Sequence, residues 1–131
     1  MRTIKFRGKS CSDGDWFYGN LYDQDKDGRT HICGLERGCL NIDPNTVGQF
    51  TGLLDKNGNE IYEGDIIHLG DPKITYVILW IDCGLKAKQI GAYGSFCGVT
   101  YWAETMTILG NIHDNPELLK NNDKKVKEKQ L

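Results

Sequence analysis

The sequence predicts a mainly β fold, built as a compact barrel-like scaffold, and three observations carry that prediction. From residue 1 to about 112 the helical period hardly appears, while short apolar or alternating runs recur between Gly, Asn and Asp. Glycine is raised to 16 residues and proline held to three, a balance that suits many tight turns joining strands. A chain of 131 residues has the length of one domain, enough to bury a single core.

Each element follows from local pattern. In TIKFRGK, Ile4 and Phe6 fall on one side of an extended strand while Thr3, Lys5, Arg7 and Lys9 fall on the other. The next segment, DWFYGNLY, is rich in β-favouring aromatics and pairs with it across SCSDGD, with Asp13-Gly14 at the turn. A polar excursion, DQDKDGR, leads to shorter strands around 29–33 and 38–42.

The stretch TGLLDKNGNEIYEGDIIHLG, residues 51 to 70, holds the clearest turn signal. Asp55-Lys56-Asn57-Gly58 fits a type I turn followed by a left-handed Gly, which makes TGLL and EIY the arms of a hairpin. Gly64-Asp65 then redirects the chain into IIHL.

Residues 74–81, ITYVILWI, are apolar on both faces, with Ile74, Tyr76, Ile78 and Trp80 on one and Thr75, Val77, Leu79 and Ile81 on the other. Such a strand either runs through the middle of two packed layers or has one face covered by another subunit. The second alternative makes Tyr76, Ile78 and Trp80 a candidate homo-oligomer interface.

Two further strands are expected near 96–102 and 105–112. DNPELLK then starts a short helix, with Asn115 as cap, Pro116 at the first helical position and Glu117 near the positive end of the dipole. The last stretch, NNDKKVKEKQL, is a solvated tail. The expected organisation is therefore one β domain over 1–115, divisible into an N-terminal part of about 1–48 and a second part of about 49–112, followed by helix and tail over 116–131.

Composition narrows the function classes. Lys and Arg number 16 against 18 Asp and Glu, a formal charge of −2, so the whole-molecule field gives no pull toward nucleic acid or an anionic membrane. The start, MRTIKFRGKSC, has no apolar segment after its charges, as a secretory signal would. The longest apolar run, ITYVILWI, is far shorter than the roughly 20 residues a membrane-spanning helix needs. A cytoplasmic chain without a membrane partner is expected. Five cysteines, Cys11, Cys33, Cys39, Cys83 and Cys97, are an odd number without a CxxC pair, which favours reduced thiols over a disulfide framework or a zinc site.

Four constellations could carry chemistry. Asp23, Asp25 and Asp27 before Gly28 copy the first half of a calcium-binding EF-hand loop, but position twelve is Gly34 in place of the bidentate Glu, so a plain acidic loop is preferred. Asp55, Glu60, Glu63 and Asp65 could pair as catalytic carboxylates or bind magnesium. The structural reading explains them better: Asp55, Asn57 and Gly58 build a turn, and Gly64 with Asp65 makes a bend at which the carboxylate accepts backbone N–H bonds.

His31, His68 and His113 match no metalloenzyme spacing, and His31 with Cys33 and Cys39 lacks a fourth zinc ligand. Lys5, Arg7 and Lys9 form a basic row beside Trp16, Tyr18 and Tyr22, a combination able to engage single-stranded nucleic acid. A solvated face that keeps an exposed or edge strand unpaired is preferred for it. No GxSxG, phosphate-cradling loop or GxGxxG is present, and no cofactor, metal or catalytic residue is expected.

Taken together, RTIKFRGK, QFTGLLDKNGNEIYEGDII and ILGNIHDNPELL resemble the YopX family of phage and prophage proteins, in the right order and across most of the chain. The central TGL-x-DKNG-x-EIYEGDI string is the specific part. Residues 23–40 and 83–98 depart from the shared pattern. The resemblance implies a mostly β protein with an SH3-like barrel element, self-association and phage or prophage carriage, without an established activity. The resulting expectation is a non-enzymatic accessory protein in the bacterial cytoplasm, self-associating and binding an unknown phage or host protein. Nucleic-acid binding through Lys5, Arg7 and Lys9 is the alternative, and metal-dependent hydrolysis comes last.

Overall fold

The computed structural model describes residues 3–22, 28–34, 38–81, 84–91, 96–98 and 105–119. The expected all-β class is observed: among the described residues the strands form two antiparallel sheets, with a 3-10 turn over 44–46 and a helical turn over 116–119. Asp23, Asp25, Asp27, Cys83 and the tail from residue 120 lie outside the described residues. The chain divides into two compact units, Met1–Gly52 and Leu53–Leu131.

The first unit contains β1 (Phe6–Lys9), β2 (Trp16–Tyr22), β3 (His31–Gly34), β4 (Gly38–Asn41) and the start of β5 (Gly48–Leu54), hydrogen-bonded in the order β4-β3-β2-β1-β5. Strand β1 lies inside this sheet. Lys9 stands opposite Trp16 on β2, and Arg7 stands opposite Gly48 on β5. The account of the basic row as a device for an unpaired edge is therefore corrected: both sides of β1 are paired.

Phe17, Ile32 and Ile42 form the buried core of this unit, with Phe6, Leu21, Leu40 and Val47 packed on them. Gly8 makes the packing possible, because a Cβ there would collide with Ile42 and press on Ile32. After β4, a 3-10 turn over Pro44–Thr46 is capped by Asp43, whose carboxylate accepts the Asn45 N–H at 3.1 Å.

The second unit contains β6 (Glu60–Tyr62), β7 (Asp65–His68), β8 (Thr75–Ile81), β9 (Gly84–Gln89), β10 (Phe96–Gly98) and β11 (Thr107–Asn111). Strand β6 pairs with β5, and the other five make a sheet in the order β10-β9-β8-β7-β11. Ile61, Ile67, Ile78, Ala87 and Met106 form its core. Strand β8 lies between β7 and β9, and its successive residues Val77 and Ile78, which point to opposite faces, are both buried. The two-sided apolar pattern is thus covered within the chain at the middle of the strand.

Two expectations are corrected. Neither sheet closes into a barrel. Closure requires edge strands to pair over several residues with a consistent stagger, whereas the chain after β4 meets the end of β1 through the single bridge Ser10–Ile42. The thiols of Cys33 and Cys39 are not free but joined in a disulfide. The β3–β4 register sets these residues directly opposite each other, a proximity that their spacing along the chain does not reveal. Cys11 is free and exposed.

Helical structure starts at Pro116, as the sequence predicts. The Asn115 carboxamide oxygen accepts the N–H of Asn111 at 3.2 Å, so this side chain ties the helical turn back to β11.

Candidate binding face

Two of the four carboxylates of the central motif, Asp55 and Asp65, are engaged by backbone N–H groups. Asp55 is buried, and its carboxylate accepts the N–H groups of Asn57 and Asn59, each at 2.9 Å, the Asn59 carboxamide at 3.3 Å and the Ile108 N–H at 3.4 Å. Gly58, at φ +84°, donates its N–H to the Asp55 carbonyl at 3.0 Å, which closes the expected turn around Asn57. Burial alone would raise the Asp55 pKa. The hydrogen bonds from the Asn59 and Asn57 backbone, the Asn59 side chain and the Ile108 backbone outweigh it and hold the carboxyl below its ordinary value.

Asp65 is 2% exposed and accepts the Tyr62 N–H at 2.7 Å. Gly64, at φ +91°, donates to the Ile78 carbonyl at 2.8 Å and accepts from the Ile112 N–H at 3.0 Å. Glu60 accepts the Tyr62 hydroxyl at 3.1 Å. Bending backbone and pinning strands is the work these groups do.

The basic row meets aromatics on one face of the first sheet. Directly opposed residues in antiparallel strands project to the same side, so Lys9 shares a side with Trp16, Arg7 with Tyr18, and Tyr22 with His31. Phe17, Leu21 and Ile32, which alternate with these positions, turn the other way into the core. The Arg7 guanidinium lies over the Trp16 ring at 4.6 Å from its centre and the Lys9 ammonium at 5.4 Å. Lys5 lies over Phe50 at 5.3 Å.

Arg7 is only 7% exposed, so the expectation of a uniformly solvated row is corrected. Stacking on Trp16 lets the guanidinium leave water. Tyr18 and Tyr22 remain 46% and 56% exposed. The strand segments FRGK, WFYGNLY, HICG, GCLN and GQFTG carry no Asp or Glu, while Asp13, Asp15 and Asp43 of the same unit stand between strands. Alternation along β2 points to Trp16, Tyr18 and Tyr22, but the contributions of His31 and Phe50 follow only from register.

The other candidates are scattered. Of the proposed interface residues, Ile78 is fully buried in the second core, Tyr76 packs against that core, and Trp80 is 37% exposed. Ile78 is therefore not available as a contact for a second copy. His68 accepts the Gly70 N–H at its Nδ1, 3.0 Å away. Among the described residues no three His, Cys, Asp or Glu stand close enough to share a metal ion, and no helix is long and apolar enough to cross a membrane.

Comparison with known proteins adds lineage. The family model described as YopX protein matches residues 5–120. The crystal structure of protein EF1440 from Enterococcus faecalis is similar, with a TM-score of 0.58 and 26% identity, over 91% of this chain and 99% of that one. The crystal structure of protein yopX from Bacillus subtilis has the same fold, with a TM-score of 0.53 and 16% identity, over 91% of this chain and 97% of that one. No curated protein matches the sequence significantly.

Proposed function

This chain belongs to the YopX protein family, and from that premise we propose that it is a non-enzymatic phage or prophage accessory protein that acts by binding, through the face of the first sheet that carries Tyr18 and Tyr22. The observation that carries the proposal is the segregation on that face: half-exposed aromatics and cations on the strands, carboxylates only between them. Exposed aromatic side chains are frequent anchors of binding surfaces. The absence of catalysis is supported by Asp55 and Asp65, two buried central carboxylates that accept backbone N–H groups. Phage or prophage carriage and action in the bacterial cytoplasm are parts of the proposal that rest on family likeness.

Crosslinking of tagged protein in a bacterial host tests it, with wild type, Tyr18→Ala/Tyr22→Ala and Trp80→Ala compared side by side. A partner recovered by wild type and Trp80→Ala but lost by the tyrosine variant is the expected result. Equal recovery by all three would remove the face from the proposal.

A second reading, self-association, is favoured by Trp80, an indole 37% exposed on β8. Light scattering decides it: a strict monomer at high micromolar concentration ends that reading.

A further inference from the structure

The Tyr18–Tyr22 face carries a more definite ligand class. Resting on the binding-face reading above, we infer that this face is a platform for single-stranded nucleic acid, with bases stacked on Tyr18 and Tyr22 and phosphates held by Lys5 and Lys9. Three features of the sheet lead to this ligand.

The first is geometry. Tyr18 and Tyr22 are four residues apart on one strand, hence on one side and about 13 Å apart along it. Both rings are about half exposed. Between them on the same side stands the exposed Asn20, whose carboxamide can donate to and accept from a base edge. Two π surfaces with a polar reader between them suit splayed bases, which stack on aromatic side chains whatever their identity. Bases inside a duplex cannot present their faces in this way.

The second is charge. Lys9 on β1 and Lys5 just before that strand flank Arg7, beside the tyrosines of β2, and His31 stands opposite Tyr22. The strands of this sheet in the first unit hold no carboxylate. The molecule has a formal charge of −2, so attraction must come from a local cluster of cations such as this one, and binding is strongest at low salt.

The third is support. Arg7 is buried with its guanidinium over the Trp16 ring, and Trp16 also lies under Lys9. Arg7 acts here as a positioning residue: it holds the indole, and the indole holds Lys9 along the rim. A phosphate-contacting lysine fixed in this way loses less side-chain entropy on binding than a freely rotating one.

The test is fluorescence anisotropy with a labelled twelve-residue oligothymidylate, a labelled oligouridylate and a duplex of equal length, at low and moderate salt. Wild type is expected to bind both single strands more tightly than the duplex, with log K falling against log salt by about 0.7 per phosphate contacted. Tyr18→Ala and Tyr22→Ala are each expected to weaken binding roughly 5- to 150-fold. Tyr18→Phe/Tyr22→Phe should keep most of the affinity, because the ring is retained, and Trp80→Ala, in the other unit, should leave it unchanged.

Arg7→Met is expected to weaken binding and to alter the Trp16 emission, a change that loss of a phosphate contact alone would not produce. Absence of binding at low salt, equal affinity of the tyrosine-to-alanine variants, or equal affinity for duplex each overturns the inference. If crosslinking recovers a nuclease-resistant protein partner that depends on Tyr18 and Tyr22, the binding face stands and its ligand is protein. If neither oligonucleotide nor partner depends on those tyrosines, the face itself falls.

Discussion

Asp55 and Ile108, 53 residues apart in the chain, are joined by a hydrogen bond of 3.4 Å from the Ile108 backbone N–H to the Asp55 carboxylate. The same carboxylate closes its own turn by accepting from Asn57 and Asn59. One buried charge thus fastens the β5–β6 turn both to itself and to β11. Removing it leaves several N–H groups without their acceptor, so Asp55→Ala should cost about 1–3 kcal/mol, measured by urea unfolding at pH 7.

The pH dependence of stability follows from the same group. Its folded-state pKa lies below the ordinary Asp value, so the folded protein binds its proton less readily than the unfolded chain. The resulting stabilisation is fully present above the ordinary Asp pKa and is lost as pH falls through the folded value. Unfolding curves from pH 7 down to pH 3 should show this loss in wild type and a shallower slope in Asp55→Asn. Identical slopes would mean that Asp55 is not an acid-sensitive element.

Two glycines are tied to different backbone demands. Gly58 sits at φ +84° with open space around its Cα, so Gly58→Ala should cost roughly 1–2 kcal/mol from the left-handed conformation alone. Gly8 has no such strain, but its Cβ would strike Ile42, and Gly8→Ala should cost about 1–3 kcal/mol through overpacking. In an Ile42→Ala background, which lacks the Cγ2 methyl that the new Cβ would strike, the cost of Gly8→Ala should shrink while that of Gly58→Ala stays the same.

Ile78 and Trp80 lie on the same side of β8 but have opposite fates. Ile78→Ala opens a cavity in a closed core and should cost about 2–5 kcal/mol. Trp80→Ala removes a partly exposed ring and should change monomer stability far less. If copies associate through the end of β8, Trp80→Ala should lower the mass seen by light scattering while leaving the unfolding curve nearly intact.

The Cys33–Cys39 disulfide closes a short loop and so restricts the unfolded chain. Reduction should lower stability by about 2 kcal/mol, read as a shift in denaturation midpoint on adding a dithiol. The Cys33→Ser/Cys39→Ser protein should show no such shift.

How much was legible in the residues varies by element. The DKNG turn, the Gly64-Asp65 bend and the β1–β2 hairpin were readable because their causes are local: a left-handed glycine, a carboxylate accepting nearby N–H groups and period-two alternation. Carbonyl and amide positions two to four residues away decide these features, and sequence order records them directly. The resemblance in the central motif likewise led to the family that the match over residues 5–120 shows.

Only the tertiary structure decided which neighbours those elements found. Arg7 is buried over Trp16 because β1 lies between β2 and β5. Cys33 meets Cys39 because β3 and β4 fall in one particular register. Ile78 is core because its own chain covers β8. Register and sheet order depend on pairings between distant segments, whose free energies differ too little, residue by residue, to be ranked from composition or periodicity. They emerge only when all the segments compete for the same hydrogen bonds and the same buried space.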